Sequence, residues 1–222
     1  MDYRFRFDLV LGSLPDLLVG AWLTVQLSVI AMVIGIVVAV ACAIARMTGP
    51  APVKWAIGAY VEVIRNTPFL VQIFIVFFGL PSIGIRFDPN TSALVAMVLN
   101  VSAYVTEILR AGIESIPKGQ SEAGAALGLT PLQVFRYVIL KPAMKSVYPA
   151  LTSQYVLLML QSSVISAISA EELTAIANDV ASRTFASFEV YIIVTGIYFV
   201  MGMAFSAVFR LLFNRIFAYP DR

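Results

Sequence analysis

Charged residues divide this chain into alternating polar and apolar segments. Five stretches contain no Asp, Glu, Lys or Arg: residues 17–45, 66–85, 89–106, 146–170 and 190–209. A charge at the centre of a membrane helix costs about 2.5 to 3.5 kcal/mol, and about 20 apolar helical residues cross about 30 Å of hydrocarbon. The pattern therefore predicts an all-α membrane protein with five transmembrane helices, at about 17–45, 57–80, 89–109, 146–170 and 189–212.

The composition favours a lipid environment over water. Of the 222 residues, 60% are hydrophobic and only 13% are charged, which nearly excludes a soluble globule of this size. The net charge of +2 gives no reason to expect a nucleic-acid partner. The chain has no histidine and a single cysteine, Cys42, so an intrachain disulfide and imidazole chemistry are excluded. We expect no catalytic group, metal or cofactor.

Basic residues are distributed unequally between the predicted spans. If the intervening segments alternate between two sides, segments 46–65, 107–145 and 210–222 hold eleven Lys and Arg residues, and the other side holds four. Basic residues accumulate in cytoplasmic loops. We therefore expect the N-terminus outside, the C-terminus inside, and one transmembrane domain over residues 1–222.

Two features indicate how the helices pack. Thr67 and Pro68 interrupt the second span, and we expect a kink there, because a helix restarted at Pro68 would be too short to cross the membrane. In the first span, small residues fall four apart and form a stripe on which another helix can pack closely: Ala31, Gly35, Ala39 and Ala43. Packing within the bundle is favoured over a dimer seam.

The loop between the third and fourth spans, residues 110–145, is long and has helical signals of its own. Residues 118–127 are rich in Ala and Gly, and Gly128 follows as a turn residue. Residues Thr130–Gln133 form a capping box with proline at the first helical position. The loop is therefore predicted to be a cytoplasmic helical hairpin.

Three roles are open for this hairpin. A DNA-binding helix-turn-helix is disfavoured, because residues 130–145 hold only three basic side chains and both ends of the hairpin are fixed to the membrane. An amphipathic hairpin lying on the membrane surface needs no partner. The third role is a docking helix, since a row of Ala and Gly forms a thin, smooth helix that can enter a groove on another protein.

Polar side chains inside the spans are candidate substrate ligands, because they are costly in lipid unless they face a partner or a wet cavity. The candidates are Gln72, Asn100, Tyr104, Gln161 and Ser162. Interhelical hydrogen bonding, commonly worth about 0.6 kcal/mol, is the alternative, and for Asn100 and Gln161 both possibilities stay open. For the serines at 163, 166 and 169 we expect hydrogen bonds to their own helix.

Two acid–base pairs lie near the cytoplasmic ends of the second and third spans. Glu62 and Arg65 are three residues apart, and Glu107 and Arg110 repeat that spacing. Side chains at this spacing are neighbours on a helix. We expect both to be structural ion pairs rather than substrate ligands, and either pair could also brace the hairpin.

Particular runs of residues resemble a known family. The run Ser121–Gly128 (SEAGAALG) is similar to the EAA loop of permease subunits from bacterial ATP-binding-cassette importers. The runs Glu62–Gln72 and Ala103–Gln120 resemble the branch of that family that takes up polar amino acids, as do Leu18–Gly20 and the pair Glu172–Leu173.

The resemblance implies a multi-pass permease of the bacterial inner membrane, surrounded by lipid, that forms the pathway for a polar amino acid. Its implied partners are an ATPase dimer, a solute-binding protein outside the cytoplasm, and a second permease chain, identical or paralogous. The residues that would contact the ATPase are Glu122, Ala123, Gly124, Ala126, Leu127 and Gly128. This chain has no Gly-x-x-x-x-Gly-Lys-Ser/Thr loop, so we expect it not to hydrolyse ATP itself.

One departure from the family bears on the substrate. The family often has Lys followed by Asp or Asn where this chain has Leu160 and Gln161. The missing fixed charge favours a zwitterionic or polar amino acid over one that needs a buried counter-ion. The alternative function is a secondary transporter or channel for small polar solutes that is not driven by ATP.

Overall fold

A computed structural model of the protein describes residues 5–217, and all regular secondary structure in that range is helical. The helices are α1 (Phe7–Leu11), α2 (Leu14–Thr48), α3 (Ala51–Arg65), α4 (Phe69–Ile83), α5 (Pro89–Glu114), α6 (Lys118–Ala126), α7 (Pro131–Ile168), α8 (Leu173–Thr184) and α9 (Ser187–Ile216). Both α4 and α7 contain a π turn and end in a tighter 3₁₀ segment. The predicted all-α class is confirmed for this part of the chain.

Within residues 5–217, four helices are long and apolar enough to cross a membrane: α2, α5, α7 and α9. The remaining predicted span is not one helix, because α3 and α4 meet at an angle of 113°. The expectation of a kink at Thr67 and Pro68 is therefore wrong, and the helix breaks. Pro68 has an extended backbone (ψ 139°) and cannot donate a helical hydrogen bond, so α3 ends at Arg65 and the next helix starts at Phe69.

Helices α2 and α5 form the centre of the bundle and run parallel to each other. Gly35 on α2 lies against Val101 on α5, and farther along both helices Arg46 pairs with Glu107. The small residues of the α2 stripe are buried in this contact, as packing within the bundle requires: Ala31, Gly35, Ala39 and Ala43. Since α2 and α5 are parallel, α3 and α4 must carry the chain back between them.

Residues near the C-termini of α2 and α5 mark one end of the bundle, which we call the hairpin end. There Gly112 of α5 lies so close to Val147 of α7 that an added Cβ would be 1.9 Å from the valine Cγ1. The other end, which we call the far end, holds the N-termini of α2 and α5 together with α8.

The predicted hairpin is formed by α6, Gly128 and the first turns of α7. Gly128 has φ +78°, a left-handed conformation that glycine adopts without strain. The capping box at Thr130–Gln133 is present. The boundaries differ from the predicted loop at 110–145, because α5 continues to Glu114 and α7 runs without interruption from Pro131 into the fourth span.

Substitution of Gly35 tests the close approach of α2 and α5. An added Cβ would lie 2.3 Å from Val101 Cγ1, so we expect Gly35→Ala to destabilise the fold by about 1 to 3 kcal/mol. Val101→Ala in the same chain should restore much of the loss. Gly196→Ala is the control, because its new methyl group would meet no described atom within 4 Å. Thermal unfolding in detergent measures the effect, and equal midpoints for the two glycine variants would contradict this packing.

Candidate functional site

The break between α3 and α4 leaves the last carbonyl groups of α3 without helical partners. Unpaired backbone groups are costly inside a membrane, so their partners decide whether a broken helix is stable there. Three side chains supply the missing donors: Thr67 to Val63 (2.7 Å), Gln72 to Ile64 (2.7 Å) and Tyr104 to Arg65 (3.5 Å). Protein groups thus take the place of water at the break.

Gln72 connects the break to α5. Its Nε2 also donates to the carbonyl and to the hydroxyl of Thr67, at 3.0 Å each, and its Oε1 accepts a hydrogen bond from Asn100 Nδ2 at 2.9 Å. Asn100 is only 3% exposed. Its Oδ1 has no hydrogen-bond partner among the described residues, so one buried acceptor beside the break stays available.

Gln161 provides a second such acceptor. It is the last residue of α7 before the helix tightens over Ser162–Ile168, and this tightened segment packs against both α4 and α5. Gln161 Oε1 is buried and has no partner in residues 5–217. A broken helix, a tightened helix and α5 therefore meet at one level of the bundle, and two of them carry an unpartnered amide oxygen.

The other predicted substrate ligands are used by the protein itself. Gln72 and Tyr104 hold the break, and the buried Ser162 hydroxyl donates to the Met159 carbonyl at 2.7 Å. The hydroxyl groups at 163 and 166 bond within α7, as expected. Within the described range, no three Cys, Asp or Glu side chains are grouped so that they could hold a metal ion.

The expected ion pair between Glu62 and Arg65 is not formed, although both residues are described. Asn66 Nδ2 donates to Glu62 Oε2 at 3.0 Å, and the Arg65 guanidinium lies 5.7 Å from the centre of the Tyr104 ring. The reason is the break itself. Because Arg65 ends α3, its side chain turns towards α5 instead of lying along its own helix.

The pair of Glu107 and Arg110 is formed and belongs to a larger cluster. Arg110 Nε lies 3.1 Å and 3.0 Å from the two Glu107 oxygens, and Arg110 also bonds Glu114. Arg46 Nη1 of α2 lies 2.8 Å from Glu107 Oε2, so the cluster joins α2 to α5 at the hairpin end. Sequence reasoning missed Arg46 because the two residues are 61 positions apart. The only signal was a basic residue in the last turn of α2.

The six residues assigned to ATPase contact fall into two groups. Five are exposed, Leu127 by as much as 81%: Glu122, Ala123, Ala126, Leu127 and Gly128. Gly124 is buried instead, and an added Cβ would lie 3.0 Å from Val134 Cγ2 on α7. The glycine therefore holds the two arms of the hairpin together.

The second arm of the hairpin adds exposed apolar residues that sequence reasoning did not single out. Leu132 is 74% exposed and Tyr137 is 68% exposed, close to the value for Leu127 on the turn. Large apolar side chains that are this exposed on a polar loop indicate a surface that contacts protein or lipid. The signal in the sequence was the capping box, which contains Leu132 and is followed four residues later by Tyr137.

Comparison with known proteins gives one consistent result. Residues 14–219 match the model of the family described as binding-protein-dependent transport system inner membrane component. The L-cystine transport system permease protein TcyB of Bacillus subtilis (strain 168) is 36% identical over 215 residues, 96% of this chain and 92% of its own. The probable glutamine ABC transporter permease protein GlnM of the same organism is 39% identical over 187 residues, 84% and 87%. The crystal structure of an amino acid ABC transporter with histidines has a TM-score of 0.90 at 36% identity and covers 96% of this chain and 100% of that one.

Replacing Gln72 tests whether its amide stabilises the break. We expect Gln72→Met to destabilise the fold by about 1 to 3 kcal/mol, because two carbonyl groups of the break would lose a buried donor. Gln154→Met is the control, since Gln154 is 8% exposed, against 7% for Gln72, but makes no hydrogen bond to α3 in the described chain. Thermal unfolding in detergent and amide exchange near residue 66 report the effect. A loss no larger than that of the control would mean that the amide is dispensable.

Proposed function

This chain belongs to the family of binding-protein-dependent transport system inner membrane components, and we propose that it is the transmembrane subunit of an ATP-driven importer for a polar amino acid. The observation that carries this proposal is the exposed hairpin at one end of a membrane bundle. Its turn and second arm present Leu127, Leu132 and Tyr137 to a partner. The family membership favours a docking surface over a hairpin that only lies on the membrane surface.

In this proposal the hairpin end is cytoplasmic. The unequal distribution of basic residues supports that orientation, with the N-terminus outside and the C-terminus inside. The chain crosses the membrane five times within a single domain over residues 1–222. The pair α3 and α4 counts as one crossing, because it returns the chain between two parallel helices.

Coupling to the ATPase occurs through the exposed face of α6 and its turn. Glu122, Ala123, Ala126 and Leu127 enter a groove on the ATPase, and Gly128 allows the chain to reverse. Gly124 acts differently, because its missing side chain lets α6 lie directly on Val134. The two arms of the hairpin then move as one body, and a displacement of α6 is passed along α7 to Gln161.

The substrate site lies beside the break in the bundle. Discontinuous helices near the midplane are common substrate sites in transporters, because their backbone and side-chain groups are not all used by the helix. Asn100 Oδ1 and Gln161 Oε1 accept hydrogen bonds from the ammonium or amide groups of the amino acid. Gln72 and Tyr104 hold the break in shape, and the Ser162 hydroxyl is used by the Met159 carbonyl. The names of two relatives contain L-cystine and glutamine. Both amino acids carry no net charge and therefore suit a site formed by amide dipoles.

The proposed assembly supplies what this chain does not. An ATPase dimer hydrolyses ATP at the hairpin end, and a solute-binding protein delivers the amino acid at the far end. A second permease chain, identical or paralogous, completes the pathway. The most apolar part of α9 is only 11% buried within the chain, which leaves this helix available to lipid or to that second chain.

Charge reversal at Glu122 tests the coupling surface. We expect Glu122→Arg to abolish ATP-dependent uptake and copurification with the ATPase, because a bulky cation replaces an exposed carboxylate in the groove. Asp8→Arg is the matched control, an exposed acid on α1 far from the hairpin, and should leave copurification intact. Uptake is measured in proteoliposomes that contain the whole complex. Intact assembly and uptake in Glu122→Arg would refute the coupling role, and uptake without nucleotide would indicate a secondary transporter or channel.

Removal of the Asn100 amide tests the substrate site. We expect Asn100→Leu to raise the KM for uptake about tenfold, since a lost buried hydrogen bond of about 1.4 kcal/mol changes affinity by that factor. Gln161→Leu should act in the same direction. The control is Ser163→Ala, which removes a hydroxyl that bonds only to the Leu160 carbonyl in the described chain. Unchanged KM values in both amide variants would place the substrate elsewhere.

A further inference from the structure

Three consecutive residues at the far end bind three different membrane helices. The backbone N–H of Glu171 donates to Asn90 Oδ1 of α5 at 2.8 Å, and the N–H of Leu173 donates to Thr24 Oγ1 of α2 at 3.1 Å. Between them, Glu172 Oε2 accepts from the Tyr198 hydroxyl of α9 at 2.7 Å. The segment directly follows α7, so all four continuous spans meet in residues 171–173, which we call the far-end tie.

Glu172 is the centre of this tie. Its side chain is completely buried and also caps α8, because Oε1 accepts from the Ala175 N–H at 2.7 Å. The Tyr198 hydroxyl that bonds Glu172 also lies 3.0 Å from Thr174 Oγ1, so α9 has two polar contacts with the start of α8.

Two further features show that the position of the tie is tightly determined. A Cβ at Gly20 of α2 would lie 2.9 Å from Leu173 Cα, so only glycine allows α8 to approach this closely. Ser169, which ends α7, has the left-handed φ of +59°. Such conformations are unfavourable for residues other than glycine and persist where surrounding contacts hold them.

The Glu172 carboxyl group is buried without a cationic partner among the described residues. No Lys or Arg pairs with Glu172 in the part of the chain that the structure describes. Burial raises the pKa of Glu172 above its ordinary value. Hydrogen bonds from the N–H groups of Thr174 and Ala175 and from the Tyr198 hydroxyl offset part of this increase. A buried carboxyl without a cation is costly and needs its hydrogen bonds intact. Loss of either the bond to α8 or the bond to α9 would therefore leave a buried carboxylate oxygen without a partner.

From this geometry we infer that Glu172 is a positioning residue for transport: it fixes the far ends of α2, α5, α7 and α9 as one body. Helices α3 and α4 make no hydrogen bond to the tie within residues 5–217. The broken pair is then the element that shifts against the rest when α7 moves. This inference rests on the proposed function, because the fixed body is what converts movement of the hairpin into a change of access beside Gln161.

A structural arm tests the tie without any assumption about transport. We expect Tyr198→Phe and Thr24→Val each to raise amide exchange of residues 173–177 at least about tenfold in the purified complex, and Glu172→Ala to raise it further. Tyr191→Phe is the matched control, because Tyr191 also joins α9 to α8, through Asn178, but at an exposed site where water can replace the lost bond. Exchange no faster than in that control would overturn the tie.

A transport arm tests the positioning role. Proteoliposomes with the ATPase and the solute-binding protein are assayed with a mixture of radiolabelled amino acids, L-cystine included. We expect Glu172→Ala to keep ATP hydrolysis while uptake per ATP falls about tenfold, with partial rescue in Glu172→Gln, which retains one acceptor oxygen. Uptake per ATP in Tyr198→Phe should lie between the values for Glu172→Ala and Glu172→Gln. This variant also provides the test if Glu172→Ala does not fold.

The two arms separate the possible failures. Faster exchange with unchanged uptake per ATP would reduce Glu172 to a structural residue and overturn the positioning role. A wild-type complex without ATP-dependent uptake would overturn the proposed function, and with it the positioning role, while the exchange arm would still decide whether the tie exists.

Discussion

The structure depends on how backbone carbonyl groups are satisfied where a membrane helix is interrupted. Water is not available in hydrocarbon, so each carbonyl released at the end of α3 needs a donor from the protein. Gln72 serves the Ile64 carbonyl of α3 and the Thr67 carbonyl in the break, and it is itself held by Asn100 of α5. This arrangement permits a 113° bend inside the bundle, packed against α5 and the tightened end of α7, and each of those two helices carries an unpartnered amide oxygen.

Features set by local sequence could be predicted, and features set by distant contacts could not. Gaps between charges located the continuous spans, because hydrophobic length is a local property. The hairpin followed from Gly128 and the capping box at Thr130–Gln133. Pro68 was compatible with either a kink or a break. A break rather than a kink depends on Gln72 and on Asn100, which bonds Gln72 from 28 positions farther along the chain. No local pattern reveals that contact.

The same distinction applies to the candidate site. Polar side chains inside the spans were recognised by composition, but their uses differ. Gln72 and Tyr104 stabilise the break, whereas Asn100 and Gln161 keep a free oxygen, and only the three-dimensional contacts separate these roles. Arg46 was missed for a similar reason, because its partner Glu107 belongs to another helix. Gly124 was predicted to contact the ATPase and lies inside the hairpin, since small residues serve both purposes.

The contact between Gly112 and Val147 has a mechanical consequence. Val147 lies sixteen residues after Pro131 and fourteen before Gln161, which at 1.5 Å per residue gives arms of about 24 Å and about 21 Å. Because residues 171–173 hold the far end of α7, the helix is supported at two points, and a push at the base of the hairpin bends it between them. Gln161 lies between the two supports, so it is displaced in the opposite direction to the push and by a smaller distance.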